Sequence, residues 1–276
     1  MRAVRVTELG GPESIEVVEI DEPSDDGVVV DVHAAGVAFP DALLTRGLYQ
    51  YRPELPFTLG AELAGVVRSA PEGAGVKPGD RVVGLTMIGG AMAETAVLGA
   101  DRVFPLPDNV SFEAGAGLLF NDLTVYFALT VRGRLAAGET VLVHGAAGGI
   151  GTSTLRLAPA LGARRVIAVV SSQDKAEVAR AAGATDVVLA DGFKDAVAEL
   201  TGGAGVDIVM DPVGGDRFTD SLRSLAPGGR LLVVGFTGGE IPTVKVNRLL
   251  LNNVDVVGVG WGAWVLRHPG ALAEQW

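Results

Sequence analysis

The sequence predicts an α/β chain: an antiparallel, barrel-like β domain followed by a doubly wound parallel sheet. Three observations lead there. The length, 276 residues, exceeds one typical core and suggests two domains of ~100–150 residues each. Residues 1–118 carry short β-rich segments broken by turn residues, as antiparallel barrels do. Past Asn121 apolar strands alternate with helical stretches, which implies a parallel sheet with right-handed crossovers.

In the first part the β-rich segments are Ala3–Thr7, Ile15–Val18, Val28–Ala34, Gly65–Ser69, Arg81–Leu85 and Ala93–Val97. Gly10-Gly11-Pro12, Pro23-Ser24-Asp25-Asp26-Gly27 and Lys77-Pro78-Gly79-Asp80 punctuate them. In the second part the strand candidates are Thr140–His144, Arg165–Val170, Asp186–Leu189, Asp207–Met210, Arg230–Val234 and Val254–Val259. Most are continuous β-branched runs, as suits strands buried on both faces. Gly162 and Gly183 stand where helix-ending glycines belong. Pro159 falls inside the helix after the first of these strands, where it removes a bond to Leu155 and should bend or shorten the helix. The chain divides as residues 1–118, 119–262 and 263–276, with no internal repeat.

Composition excludes several classes of partner. Hydrophobic residues make up 48% and charged residues 20%, the make-up of a folded globular protein. The formal net charge of −11 argues against nucleic acid and anionic membranes. There is no cysteine, which rules out disulfides and thiolate zinc sites. The N-terminus runs straight into a strand pattern without a signal-peptide core, and no apolar stretch is long enough to span a bilayer. A cytoplasmic protein is the expectation.

The strand Thr140–His144 opens into Gly145-Ala-Ala147-Gly148-Gly149-Ile150-Gly151 and then a helix. Glycines at such a turn let a pyrophosphate approach main-chain N–H groups at the helix N-terminus, the arrangement of a Rossmann domain. Ala147, Gly148, Gly149 and Ile150 are the expected contacts. About 20 residues after the last glycine, an NAD enzyme places an Asp or Glu on the ribose 2′-hydroxyl. Here the strand ends Val169-Val170-Ser171-Ser172-Gln173-Asp174-Lys175. No carboxylate stands at the tip, Ser171 and Ser172 offer hydroxyls, and Lys175 offers a cation. That pattern favours NADPH. Ser172 reads equally as a helix cap, and Lys175 as a solvated charge.

Several segments carry a wider resemblance: Gly36-Val-Ala-Phe-Pro-Asp41, Arg46-Gly-Leu-Tyr49, Leu59-Gly-Ala-Glu-Leu-Ala-Gly65, Pro78-Gly-Asp-Arg-Val82, Leu123-Thr-Val-Tyr126, Gly145–Gly151 and Pro227-Gly-Gly-Arg230. In these the chain resembles the medium-chain dehydrogenase/reductase superfamily, specifically its zinc-free NADPH quinone oxidoreductases. The resemblance implies a GroES-like first domain, a Rossmann second domain and hydride transfer to a small quinone. It places Asp41 and Tyr49 in the cleft between domains, Thr124 beside the nicotinamide, and Gly235 and Phe236 among the cofactor contacts. Tyr49 reads as proton donor or as packing aromatic, and Asp41 as a cleft residue or as a cap for a helix beginning near Ala42. Trp261 and Trp264 read as cleft wall or as core.

Zinc-dependent relatives bring a Cys and a His where this chain has Ala38 and Ala61, so no metal is expected. His33, His144 and His268 lie outside those positions and read as structural or solvated. The family's frequent Asn is replaced by Ala38, which removes a polar contact to substrate. Chains of the family return after the last Rossmann strand, whereas this sequence stops inside the helix-like segment Pro269–Trp276 and reads as a return segment cut short. Two other functions compete: an enone, alkenal or enoyl-thioester reductase on the same scaffold, and a non-catalytic NADPH-binding module. The final strand, 254–259, should lie at a sheet edge with exposed valines, and pairing with its copy would make a homodimer.

Overall fold

The computed structural model describes residues 1–24, 26–87 and 89–276; within the expected turn Pro23–Gly27, Asp25 lies outside the described residues. The chain forms two compact units, Met1–Leu123 with Val265–Trp276, and Thr124–Trp264. The division falls inside the helix Leu119–Tyr126 rather than after residue 118. A helix carries no turn signal at its middle, so composition alone cannot locate such a boundary.

Among its described residues the first unit contains eight strands: β1 (Arg2–Val6), β2 (Ile15–Glu19), β3 (Val28–Ala35), β4 (Phe57–Thr58), β5 (Glu62–Ser69), β6 (Arg81–Leu85), β7 (Thr95–Leu98) and β8 (Val103–Pro105). They pair antiparallel in two sheets, ordered β2-β1-β4 and β7-β3-β5-β6-β8. An Ala3–Ala93 bridge ties strand β1 to the segment before β7. The two shortest strands, β4 and β8, escaped the sequence reading because two or three residues show no alternation. Val28, Val30, Leu63, Val67, Val82, Ala96 and Leu98 fill one core. Val6, Leu44, Phe57 and Leu59 fill a second, against which Tyr49 packs. The C-terminal helix Ala271–Gln275 belongs to this unit, and Trp276 stacks on Phe104 at 5.6 Å.

The second unit contains six parallel strands: β9 (Thr140–Val143), β10 (Arg165–Val170), β11 (Asp186–Leu189), β12 (Val206–Asp211), β13 (Leu225–Val233) and β14 (Asp255–Gly258). Their order is β11-β10-β9-β12-β13-β14, two halves wound outward from a central strand as in dinucleotide-binding sheets. Leu142, Ile167, Val169, Val209 and Leu231 are buried in its core, as strands covered on both faces require. The sequence placed the fifth strand at Arg230, and the regular ladder does begin there; Leu225 pairs first with Val206 and the register then jumps across Pro227-Gly228-Gly229. Proline lacks an N–H for the ladder and Gly228 has a φ of +80°, so the chain bulges.

Pro159 does not stop its helix early. The helix runs Gly149–Ala160 with Pro159 in its last turn, and Gly162, at φ +102°, ends it. Gly183, at φ +105°, ends the next helix in the same manner.

The edge strand also departs from expectation. β14 does lie at the sheet edge, but Val254 and Val259 are buried, so its apolar exposure is smaller than the run of valines suggested. Val259 donates its N–H to Val233. Strand groups alternate in direction, so Val256 and Gly258 turn theirs to the open edge. Arg132 Nε bonds Gly258 O there, at 2.9 Å. The exposed apolar side chains sit just upstream, Leu250 at 76% and Leu251 at 73%, on the helix Asn247–Asn252.

One buried ion pair ties the sheet to the chain leading into it. Arg230 is buried on β13, and its guanidinium donates to Glu139 at 2.6 and 2.7 Å and to the carbonyls of Gly133 and Arg134. Removing one partner strands a buried charge. Glu139→Ala should therefore lose about 3–5 kcal/mol of stability, measured by urea unfolding; a loss below about 1 kcal/mol, the worth of an exposed pair, would show that the pair is not holding this junction.

Candidate functional site

In the second unit the loops after β9, β10, β12 and β13 share the carboxyl edge of one parallel sheet, where ligands bind in such folds. β9 lies between β10 and β12, the point at which the winding reverses. After β9 the chain turns at Gly145, φ +58°. A side chain on Gly151 would overlap Gly145 O and lie 2.5 Å from Ala146 Cα. Only glycine lets the helix Gly149–Ala160 start this close to the strand. Gly148 is the residue before the helix, and Gly148 and Gly149 are exposed. The first turn of a helix has N–H groups with no intrahelical acceptor, so Gly149 and Ile150 present donors and the positive end of the dipole.

At the end of β10, Lys175 Nζ donates to Ser171 Oγ at 3.1 Å. Ser172 is the residue before the helix Gln173–Ala181, yet its side chain makes no capping bond. After β12, Asp211 accepts from Val213 N and Gly214 N, both at 2.9 Å, and closes a tight turn. A side chain on Gly145 would lie 3.2 Å from Val213, and one on Gly235 would lie 3.4 Å from Pro212 O. The Phe236 ring covers Gly214, where a Cβ would come within 2.8 Å. Gly235 and Phe236 are thus joined to the β9 loop through the β12 turn. Sequence reasoning missed that turn; an Asp-Pro-Val-Gly run directly after a strand was its signal.

His144, between β9 and the glycine loop, is fully buried. Ser221 Oγ donates to Arg217 O at 2.9 Å, so it accepts from His144 Nε2, 2.8 Å away. Burial pushes the imidazole down to about 4, against the pull of Asp211, and it stays neutral. His33 stacks on Phe112 at 4.4 Å. Trp261 is buried and Trp264 packs on Phe127 at 4.8 Å, so both contribute to the second unit's packing.

In the first unit the helix Phe39–Thr45 begins before Ala42, and Asp41 is its third residue rather than its cap position. Its carboxylate folds back to accept from Ala38 N at 2.8 Å and from Gly60 N at 3.2 Å. Burial raises its pKa despite those two donors. Tyr49 is held above the ordinary phenol value by burial and then by the charge of Asp41, so it is protonated at neutral pH. Thr124 is buried on the helix Leu119–Tyr126.

Glu62 stands in the segment Leu59–Gly65, where no local pattern marks it as a site residue. It opens β5 almost wholly buried, at 2% exposure, and Oε2 accepts from Phe120 N at 2.9 Å. Burial lifts its carboxyl to about 7, against the pull of the Phe120 and Leu119 amides and helped by Asp122 and Asp41.

The family's zinc does not fit these residues. Ala38 and Ala61 have no donor atom, Glu62 is turned to a main-chain amide, and no group of three or more His, Asp or Glu gathers as a ligand set among the described residues. A dinucleotide does fit the β9 loop, whose backbone a single Cβ at Gly151 would obstruct. No helix among the described residues is long and apolar enough to cross a membrane.

An antiparallel GroES-like domain followed by a Rossmann sheet with this glycine crossing defines a dinucleotide-dependent oxidoreductase architecture. Known proteins agree. Residues 24–108 match the alcohol dehydrogenase GroES-like domain and residues 149–274 match the zinc-binding dehydrogenase family. Quinone oxidoreductase-like protein 2 of Rattus norvegicus is 42% identical, over 95% of this chain and 76% of its own length. A probable oxidoreductase from Mycobacterium abscessus is 46% identical with a TM-score of 0.90, covering 100% of this chain and 84% of its own. Escherichia coli quinone oxidoreductase, solved as a complex with NADPH, is 32% identical with a TM-score of 0.89, covering 100% and 85%. The chain belongs to the medium-chain dehydrogenase/reductase superfamily, among the quinone oxidoreductases.

The Glu62 carboxyl makes stability depend on pH. Its folded value, about 7, lies above the ordinary 4.5, so between those values the native state binds more proton than the unfolded chain. Its contribution is present below about pH 4.5 and lost as pH rises through about 7. The urea midpoint should fall from pH 5 to pH 8 more steeply in the native chain than in Glu62→Gln; parallel profiles would disprove this titration.

Proposed function

We propose that this chain binds NADPH and passes its hydride to a small quinone, without a metal. The observation that carries the cofactor reading is the tip of β10, where Val170 is followed by Ser171, Ser172 and Lys175 and no carboxylate stands to repel a 2′-phosphate. Ala147, Gly148, Gly149 and Ile150 hold the pyrophosphate; Gly235, Phe236 and Thr124 hold the nicotinamide end. NADPH supplies the hydride when bound. A quinone is already electrophilic, so orientation takes the place of a Lewis acid. Tyr49, kept protonated by burial and Asp41, donates the proton that the reduced oxygen needs. Relatives called quinone oxidoreductases, one of them solved with NADPH, support the reading.

The test is NADPH oxidation across quinones, enones and enoyl thioesters, with and without chelator. Quinones should turn over, unaffected by chelation; turnover of enoyl thioesters or enones alone, of nothing, or only with metal retained would overturn the reading. Lys175→Ala should weaken NADPH by roughly 1–3 kcal/mol, the range for a charge-assisted bond, and leave NADH unchanged. Fluorescence titration decides it, and equal losses for both cofactors would place Lys175 elsewhere.

We also infer a homodimer through the strand 254–259. Val256 offers both its main-chain groups and Gly258 its N–H at the open edge, where the Gly258 carbonyl is held by Arg132, and the exposed Leu250 and Leu251 supply apolar surface next to this strand in the chain. Antiparallel pairing with a copy covers both. Val256→Pro removes an N–H that faces the copy and not β13. Light scattering should give twice the 28.3 kDa chain mass for the native chain and about one chain mass for Val256→Pro; a native monomer would refute the pairing.

A further inference from the structure

Glu62 opens strand β5 with its carboxylate buried, and what faces it are main-chain donors and two more carboxylates. Phe120 N donates to Oε2 at 2.9 Å. Asp41 approaches from the helix Phe39–Thr45 and Asp122 from the helix Leu119–Tyr126, and both oppose its charge. Space for the side chain is reserved: a Cβ on Gly36 would lie 2.7 Å from Glu62 Cγ and 2.9 Å from Oε1. Desolvating a carboxylate among like charges is costly. What it does hold is the first turn of the helix Leu119–Tyr126, where backbone N–H groups have no intrahelical acceptor. Thr124 follows Phe120 by four residues, one turn further along the same helix face.

We propose that Glu62 is a positioning residue for the nicotinamide end of the cofactor: its carboxylate holds the first turn of the helix Leu119–Tyr126 and, through that turn, the placement of Thr124. The proposal rests on the assignment of Thr124 to the nicotinamide made above. An ionised carboxylate accepts an N–H bond roughly twice as strongly as a neutral acceptor. The buried carboxyl titrates at about 7, so the anchor strengthens as pH rises through neutrality, against the repulsion of Asp41 and Asp122.

Two ligands separate the two ends of the cofactor. NADP+ carries the nicotinamide; 2′-phospho-ADP-ribose lacks it but shares the pyrophosphate and the 2′-phosphate, so the titration of that phosphate cancels in the ratio of their dissociation constants. In the native chain the NADP+ constant relative to that of the phospho-ADP-ribose should rise roughly three- to tenfold, the worth of one hydrogen bond, from about pH 8.5 to about pH 6. Glu62→Gln keeps an acceptor oxygen and removes the proton equilibrium, so its ratio should be flat with pH. Thr124→Ala should raise the ratio at every pH, and adding Glu62→Gln to it should raise it no further. A Glu62→Gln ratio that still follows pH, or equal weakening of both ligands, overturns the positioning role while leaving Thr124 at the nicotinamide. A Thr124→Ala ratio equal to the native one overturns the assignment of Thr124, and the proposal with it.

Discussion

The distance of closest approach between the central strand and the helix that follows it governs the second unit. Gly151 stands where any side chain would overlap Gly145 O and crowd Ala146, and this contact lets the helix Gly149–Ala160 begin directly above the end of β9. The consequence is chemical as well as steric. A helix seated there aims its first N–H groups at the space where the sheet's winding reverses. Substituting the glycine would move the helix away from the strand, and every donor of the loop with it. The neighbouring loops follow the same constraint: the β12 turn, closed by Asp211, packs against Gly145, and Gly235 and Phe236 pack against that turn.

The first unit works by a different economy. Its strands supply small apolar cores, and its buried carboxylates, unlike those on its surface, are placed against main-chain amides. Asp41 accepts from Ala38 and Gly60, and Glu62 from Phe120. Each bond lowers the cost of a buried negative charge without cancelling it, which is why both carboxyls titrate above their ordinary values. The same arrangement keeps the nearby Tyr49 phenol protonated. A cation beside Asp41 would have settled the carboxylates and made the phenol easier to ionise, a poorer proton donor at higher pH.

Much of this was legible in the residues, and the limits have physical reasons. Long β-branched runs such as Arg165–Val170 announce themselves, since strands buried on both faces need apolar side chains at every position. The glycine loop was legible because its residue types are demanded by backbone geometry. Phe57–Thr58 and Val103–Pro105 were not, being too short to show a period. The valines of the last strand misled, because burial depends on what packs over a strand: Val254 and Val259 are covered, while Leu250 and Leu251 on the preceding helix are not. Asp41 was visible as a polar residue near a helix start, but its second bond, to Gly60, joins residues far apart in the chain. The role of Glu62 depends on contacts with Gly36 and Phe120, which no local pattern brings together.

Glu62 also shows why a fold retains an expensive group. Its raised carboxyl means that ionisation above about pH 7 costs stability, and glutamine in its place would relieve the burden at alkaline pH while nearly preserving shape. An apolar residue would suit the strand better still, given the buried Leu63 and Ala64 beside it. Core packing alone therefore does not account for a carboxylate here. What the charge adds is a directional hold on amide donors that an uncharged side chain supplies more weakly. Stability is given up where placement within a fraction of an ångström matters more, the usual balance between folding and function at sites built to position a reactant.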